Sequence, residues 1–186
     1  RTFHVGGIAG NISEENKLVS KFDGITEIED LKSVKSKDAD GNYTNLVLSR
    51  TCEIKVLDSK SGIVLSSNVI PYGSSIKVKS GVKIKKDDVI CTWDPYNGVI
   101  ISEFGGKVEY ENIEQGVTYQ VEIDEQTGFK EKVISESRNK KLIPTLLIND
   151  TKGKNQRTYN LPVGAHLIVE DGEKVDQGKI LVKIPR

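Results

Sequence analysis

Ile70-Pro71-Tyr72-Gly73-Ser74-Ser75-Ile76-Lys77-Val78-Lys79-Ser80-Gly81-Val82-Lys83-Ile84 returns without a gap as Leu161-Pro162-Val163-Gly164-Ala165-His166-Leu167-Ile168-Val169-Glu170-Asp171-Gly172-Glu173-Lys174-Val175. The offset of 91 residues holds to Val89-Ile90 against Ile180-Leu181, where both copies close on an apolar pair. Upstream, Leu57-Asp58-Ser59-Lys60-Ser61-Gly62 matches Asn149-Asp150-Thr151-Lys152-Gly153 with one residue deleted. Gly and Pro fall where the chain must turn, and apolar residues fall where strands must face a core. The repeat predicts two copies of one small β-module.

The rest of the chain reads the same way. Short alternating runs of Val, Ile, Thr and Tyr are bounded by Gly, Asn, Asp and Pro, the mark of half-buried strands. Asn45–Ser49, Glu53–Leu57, Lys107–Tyr110, Val117–Ile123 and Leu142–Ile148 are the clearest. Asp40-Gly41-Asn42 predicts a hairpin between a strand over Ile28–Val34 and one starting near Tyr43, and Gly128 and Gly153 mark similar turns. Helix is expected only at the very start and over Ser13–Ser20, where Ser13 precedes Glu14 and Glu15.

Composition narrows the function classes. Basic and acidic side chains number 27 each, a balance that argues against a protein devoted to nucleic-acid backbone, since such binding is driven by neutralising phosphates. No run of 18 apolar residues and no signal peptide are present, which predicts a cytoplasmic setting with no membrane partner. Cys52 and Cys91 form no CxxC pair and have no nearby His. They read as reduced core residues rather than metal ligands.

A different chemistry opens the chain. In Arg1-Thr2-Phe3-His4-Val5-Gly6-Gly7 the Arg and His are three residues apart and would share one face of a helix. A guanidinium fork and an imidazole so placed suit a polyphosphate, and Gly6-Gly7 would stop the helix and form a hinge. No Met precedes Arg1 and none occurs anywhere, which predicts a segment of a longer polypeptide.

The phrase Val169-Glu170-Asp171-Gly172-Glu173-Lys174-Val175-Asp176-Gln177-Gly178-Lys179-Ile180-Leu181 resembles barrel-sandwich hybrid folds, among them biotinyl and lipoyl carriers. A carrier would display a lysine at a hairpin tip, and Lys60 and Lys152 stand in expected turns. Against that reading, the methionines that flank a biotinyl lysine are absent. Ser59 and Thr151 also stand where lipoyl carriers place an acidic residue. The alternative is that these lysines only solvate hairpin tips.

The whole chain resembles the β′ subunit of bacterial RNA polymerase. The opening heptad is similar to the first arm of its trigger loop. Val69-Ile70-Pro71-Tyr72-Gly73, Trp93-Asp94-Pro95, Ile100-Ile101-Ser102-Glu103-Phe104-Gly105-Gly106-Lys107-Val108, Asp124-Glu125-Gln126-Thr127-Gly128 and Ile184-Pro185-Arg186 resemble, in order, a lineage-specific insertion of sandwich-barrel hybrid modules within that loop. The resemblance implies an all-β fold of two such tandem modules, with a trigger-loop remnant over residues 1–10 and modules over 11–97 and 98–186.

It also implies a DNA-directed nucleotidyltransferase whose mobile loop closes on a nucleoside triphosphate. His4 would contact the phosphates, either as a general acid or as a positional and electrostatic element. Arg1 would offset triphosphate charge, and Gly6 and Gly7 would form the junction. The implied partners are the β, α, ω and σ subunits and, for the insertion, downstream DNA or transcription factors. No cofactor is implied in this chain; Mg2+ would be held elsewhere in the parent subunit, and the chain alone would be inactive. Phe22-Asp23-Gly24 carries only one aspartate of a magnesium-binding motif and reads as a turn. His166 reads as a structural or surface histidine. Lys77, Lys79, Lys83, Lys85 and Lys86 form a basic cluster, either a solvated strand face or a contact for DNA.

Overall fold

The structure, a computed structural model, describes residues 16–37, 41–150, 152 and 155–186. These contain strands and turns only, so the all-β expectation holds. They fall into two units that divide between Pro95 and Tyr96.

The first unit holds β1 (Lys17–Val19), β2 (Gly24–Glu29), β3 (Ser33–Lys37), β4 (Tyr43–Val47), β5 (Glu53–Leu57), β6 (Val64–Val69), β7 (Ser75–Ile76), β8 (Lys83–Ile84) and β9 (Val89–Thr92). They form two antiparallel sheets, ordered β1-β9-β7-β4-β3 and β6-β5-β2-β8. The second unit holds β10 (Asn97–Ile101), β11 (Gly106–Glu111), β12 (Tyr119–Ile123), β13 (Lys130–Ile134), β14 (Thr145–Asp150), β15 (Gln156–Asn160), β16 (His166–Leu167), β17 (Lys174–Val175) and β18 (Ile180–Pro185). Its sheets run β10-β18-β16-β13-β12 and β15-β14-β11-β17. Strand for strand this is the same topology, so the repeat in sequence is a repeat in fold.

Each unit buries its own core, as sheet-on-sheet packing requires. In the first, Ile54 and Val56 alternate inward from β5 and meet Ile70, Ile84 and Ile90. In the second, Leu146 and Ile148 of β14 meet Ile134, Leu167 and Leu181. Burying each such side chain stabilises the fold by roughly 1.5–3 kcal/mol.

The Pro-x-Gly signature is a turn. The Ser74 N–H donates to the Pro71 carbonyl and the Ala165 N–H to that of Pro162, both at 3.1 Å. Between them Gly73 and Gly164 take φ of 85° and 92°, the left-handed position that this turn reserves for glycine. Gly73 and Gly164 then donate to Val47 and Ile134, tying each turn to the end of β4 or β13.

The first strand of each unit returns to its last. Lys17 pairs with Thr92 across β1 and β9, and the Trp93 N–H donates to the Asn16 carbonyl at 2.9 Å. Asn97 likewise pairs with Pro185 across β10 and β18, and the Arg186 N–H donates to the Tyr96 carbonyl at 2.8 Å. Both ladders carry a bulge at the same place, between Leu18 and Val19 and between Ile100 and Ile101.

Three expectations are corrected. Lys17–Val19 is strand rather than helix, because β9 supplies it with ladder bonds; residues 13–15 lie outside the described residues. Ile28–Val34 is not one strand: Asp30, at φ 55°, breaks it, so that β2 and β3 enter different sheets. Leu142–Ile148 starts late, with β14 beginning only after Pro144, which lacks the N–H a ladder needs.

Candidate functional site

Arg1, His4, Gly6 and Gly7 lie outside the described residues, as does the turn residue Gly153. The side chains with functional interest among the described residues are those by which the two like-folded units differ.

The basic cluster belongs to the first unit alone. Val78 packs against the core while Lys77 and Lys79 flank it and face solvent. Lys83 on β8 is exposed beside the buried Ile84. Lys85 and Lys86 turn toward β9, where the Lys85 N–H donates to the Asp88 carboxylate at 3.0 Å and the Lys86 N–H to that of Asp23 at 2.7 Å. Those carboxylates offset the charge at the Lys85–Lys86 end. Lys77, Lys79 and Lys83 remain as a strip suited to a polyanion, with the salt sensitivity that such contact brings. In the second unit the same five places hold Ile168, Glu170, Lys174, Asp176 and Gln177.

Glu170 has a structural task instead. It pairs with Lys132, whose ammonium also stands 5.1 Å from the Tyr110 ring centroid and 5.7 Å from that of Tyr119. Burial pulls the Lys132 pKa down, but the hydrogen bonds it donates to Glu170 and Tyr110 outweigh it and leave the group raised. The Tyr110 hydroxyl donates to the Val169 carbonyl at 2.5 Å, and burial pushes its own pKa up.

Lys60 and Lys152 are exposed in the connections after β5 and β14. The Lys60 tip is set by Asp58, whose carboxylate accepts the Ser61 N–H at 3.2 Å and the Ser61 hydroxyl at 2.6 Å. His166 on β16 meets the Glu131 carboxylate through Nδ1 at 2.9 Å, a surface pairing within one sheet. Asp23 ends a bend, while Gly24 is the first residue of β2 and lies hard against the Leu57 carbonyl. Cys52 and Cys91 are free thiols in the first core. Burial pushes the Cys91 thiol up to about 11 against the opposing pull of the Ser74 hydroxyl, and raises Cys52 as well. Such thiols are poor nucleophiles. Among the described residues no group of three His, Cys, Asp or Glu side chains could hold a metal ion.

Sequence reasoning missed two long connections of the second unit. Residues 112–118 replace the three-residue link 30–32, and residues 135–144 replace the link 48–52. They lean on each other: the Ser135 N–H donates to the Thr118 carbonyl at 2.8 Å, and the Asn112 side-chain amide to the Ile143 carbonyl at 3.3 Å. An open cleft of about 500 Å³ lies between them, bordered by Gly116, Gln120, Ser137 and Arg138. The signal for them was only an absence, the stretches where the repeat could not be aligned.

These features define an all-β, double-module protein of the sandwich-barrel hybrid kind, in which a fold is duplicated and its surfaces have diverged. Comparison with known proteins sets it in a larger one. The chain is 63% identical over 186 residues, 100% of its length, to part of the β′ subunit of DNA-directed RNA polymerase from Flavobacterium psychrophilum. Identity to the Flavobacterium johnsoniae subunit is also 63% over 186 residues, and to that of Parabacteroides distasonis 49% over 187. By this end-to-end match the chain belongs to the β′-subunit family of bacterial DNA-directed RNA polymerase, and it spans 13% of the length of these relatives. No protein-family model matches the chain. No helix of the described residues is long and apolar enough to cross a membrane.

Proposed function

We propose that the chain is an insertion in the mobile trigger loop of a cytoplasmic bacterial RNA polymerase, where it modulates nucleotide addition, pausing and transcript cleavage. The match of the entire chain to a short stretch of β′ subunits carries this reading. The order of its motifs supports the placement, with the Arg1–Gly7 heptad ahead of the two modules. In the intact enzyme His4 and Arg1 would meet the triphosphate of the incoming nucleotide, and Gly6 and Gly7 would join the moving arm to the modules. A lid of this type excludes water and aligns the reacting groups as it closes. A mass of 20.6 kDa at its tip would bias that closure. Mg2+ would supply the Lewis-acid chemistry from sites elsewhere in the subunit, and β, α, ω and σ would complete the assembly.

The test is elongation by intact polymerase from which the insertion has been removed, beside a His4→Ala enzyme. Altered pausing or cleavage in the deletion, with His4→Ala slowing every addition, is the expected result. A deletion without effect on the purified enzyme would sink the modulator reading.

A second reading has its own observation. The strip of Lys77, Lys79 and Lys83 is exposed in the first unit and absent from the second, as a dedicated contact for downstream DNA or an acidic regulatory protein would be. A carrier role for Lys60 or Lys152 gains no such support.

A further inference from the structure

The two five-stranded sheets end on equivalent edge strands, β3 and β12, with opposite surfaces. Ser33 pairs with Val47 as Tyr119 pairs with Ile134, and Val47 and Ile134 make the same bonds to the Pro-x-Gly turn. This register sets Lys35 against Val121 and Lys37 against Ile123. Lysine on an edge is a common guard against unwanted strand pairing. The second unit has replaced both guards with apolar side chains: Val121 is 37% exposed and Ile123 63%.

The backbone of this edge is free to pair as well. The Tyr119 N–H and carbonyl both turn away from β13, to the Glu114 carbonyl at 3.3 Å and the Gly116 N–H at 2.8 Å. The neighbouring Thr118 carbonyl instead turns inward, accepting the Ser135 N–H. Orientation alternates along a strand, so the N–H and carbonyl of Val121 and Ile123 also point outward, where no strand follows among the described residues. The one charge on β12 itself is acidic, while Lys130 and Lys132 of β13 stand on the face of Ile123 and Val121. Glu122 stands directly opposite Glu131 across β12 and β13, a like-charge pair that costs stability. Asp124 and Glu125 follow at the hairpin tip.

We propose that the edge of β12 accepts an extended segment of a partner protein as an added strand, one that alternates apolar and basic residues. Apolar side chains would cover Val121 and Ile123, and a basic one between them would neutralise Glu122. Main-chain bonds would supply affinity and the alternation specificity, as in strand addition generally.

The probe is a blocked peptide, Thr-Val-Lys-Val-Lys-Val-Thr, titrated into the 186-residue chain while backbone amide exchange is followed. Binding should slow exchange at Val121 and Ile123 and leave the inward amides of Gln120 and Glu122 as they were. Val121→Pro deletes an outward N–H without touching the β13 ladder and should weaken binding at least about tenfold, near 1.4 kcal/mol. Val121→Lys with Ile123→Lys restores the guarded edge of the first unit and should do the same. It decides the matter if the proline variant fails to fold. A peptide with Glu in place of Lys should also bind about tenfold more weakly. Unchanged exchange at Val121 and Ile123 would overturn the proposal. So would equal binding to the guarded-edge variant, equal binding of the Glu peptide, or dimerisation of the chain through this edge without peptide.

Discussion

Ser20 and Ser102 occupy one place in two separate cores. Each buried hydroxyl donates to the carbonyl two residues ahead, Phe22 at 2.7 Å and Phe104 at 2.6 Å. Each backbone N–H reaches the last hairpin of its unit, at Asp88 and at Lys179, both at 2.9 Å. The serine thus ties the end of the first strand to the turn before the last one. Ser20→Ala and Ser102→Ala should each cost about 0.5–1.5 kcal/mol, the net worth of the hydrogen bond each hydroxyl makes. Urea unfolding measures it, and a change below a few tenths would show that the carbonyl finds another partner.

Gly24 and Gly106 give a sharper effect. A Cβ on either would overlap a carbonyl of the neighbouring strand, that of Leu57 or of Asn149. The nearest atoms are main-chain and cannot swing aside as the end of a long side chain could. Gly24→Ala and Gly106→Ala should destabilise by roughly 1–3 kcal/mol, read from thermal unfolding. Alanine tolerated at both positions would contradict the close approach.

Cys91 contributes to the alkaline pH dependence, its thiol held at about 11 by burial against an ordinary 9.0. A raised pKa stabilises the fold fully below the unfolded value. That stability is lost as pH climbs from 9 toward 11, because the unfolded thiol ionises first. The slope expected in this window is at most about 1.4 kcal/mol per pH unit. Cys91→Val installs the residue found at the matching position, Val182, and should flatten that part of the profile. Parallel profiles for the parent and the variant would show that other groups dominate.

The lysine strip makes a prediction about salt. Replacing Lys77, Lys79 and Lys83 by Glu should weaken binding of a short DNA duplex by the 186-residue chain and lower the salt dependence by up to about three ion equivalents. The same change at three exposed lysines of the second unit, Lys107, Lys174 and Lys179, should do little. Equal loss from both sets would mean the effect is one of overall charge.

How much was legible depends on where the determining contacts lie. Ile54 and Val56 alternate within five residues, so β5 reads directly from the chain. The Pro-x-Gly turns carry their own conformational requirement and were visible for the same reason. Ser20-Lys21-Phe22-Asp23-Gly24 and Ser102-Glu103-Phe104-Gly105-Gly106 escaped notice as a repeat. They stand 82 residues apart rather than 91, because the longer second-unit connections intervene. Lys17–Val19 looked helical because Ser13 and its glutamates are local signals, whereas the bonds that make β1 come from β9, distant in sequence. Nor does periodicity reveal two-residue strands such as β7 and β8. At the β12 edge Val121 and Ile123 read as ordinary core alternation. Only the fold shows that, among the described residues, no strand follows β12 beside them.

Because β1 lies beside β9 and β10 beside β18, each module begins and finishes at a single point. A host polypeptide interrupted by one such module would leave and resume its course with almost no gap to bridge. Such a body can be gained, doubled or discarded over evolutionary time while the machinery around it keeps its shape. Duplication then frees one copy to change its surface while the other retains the original.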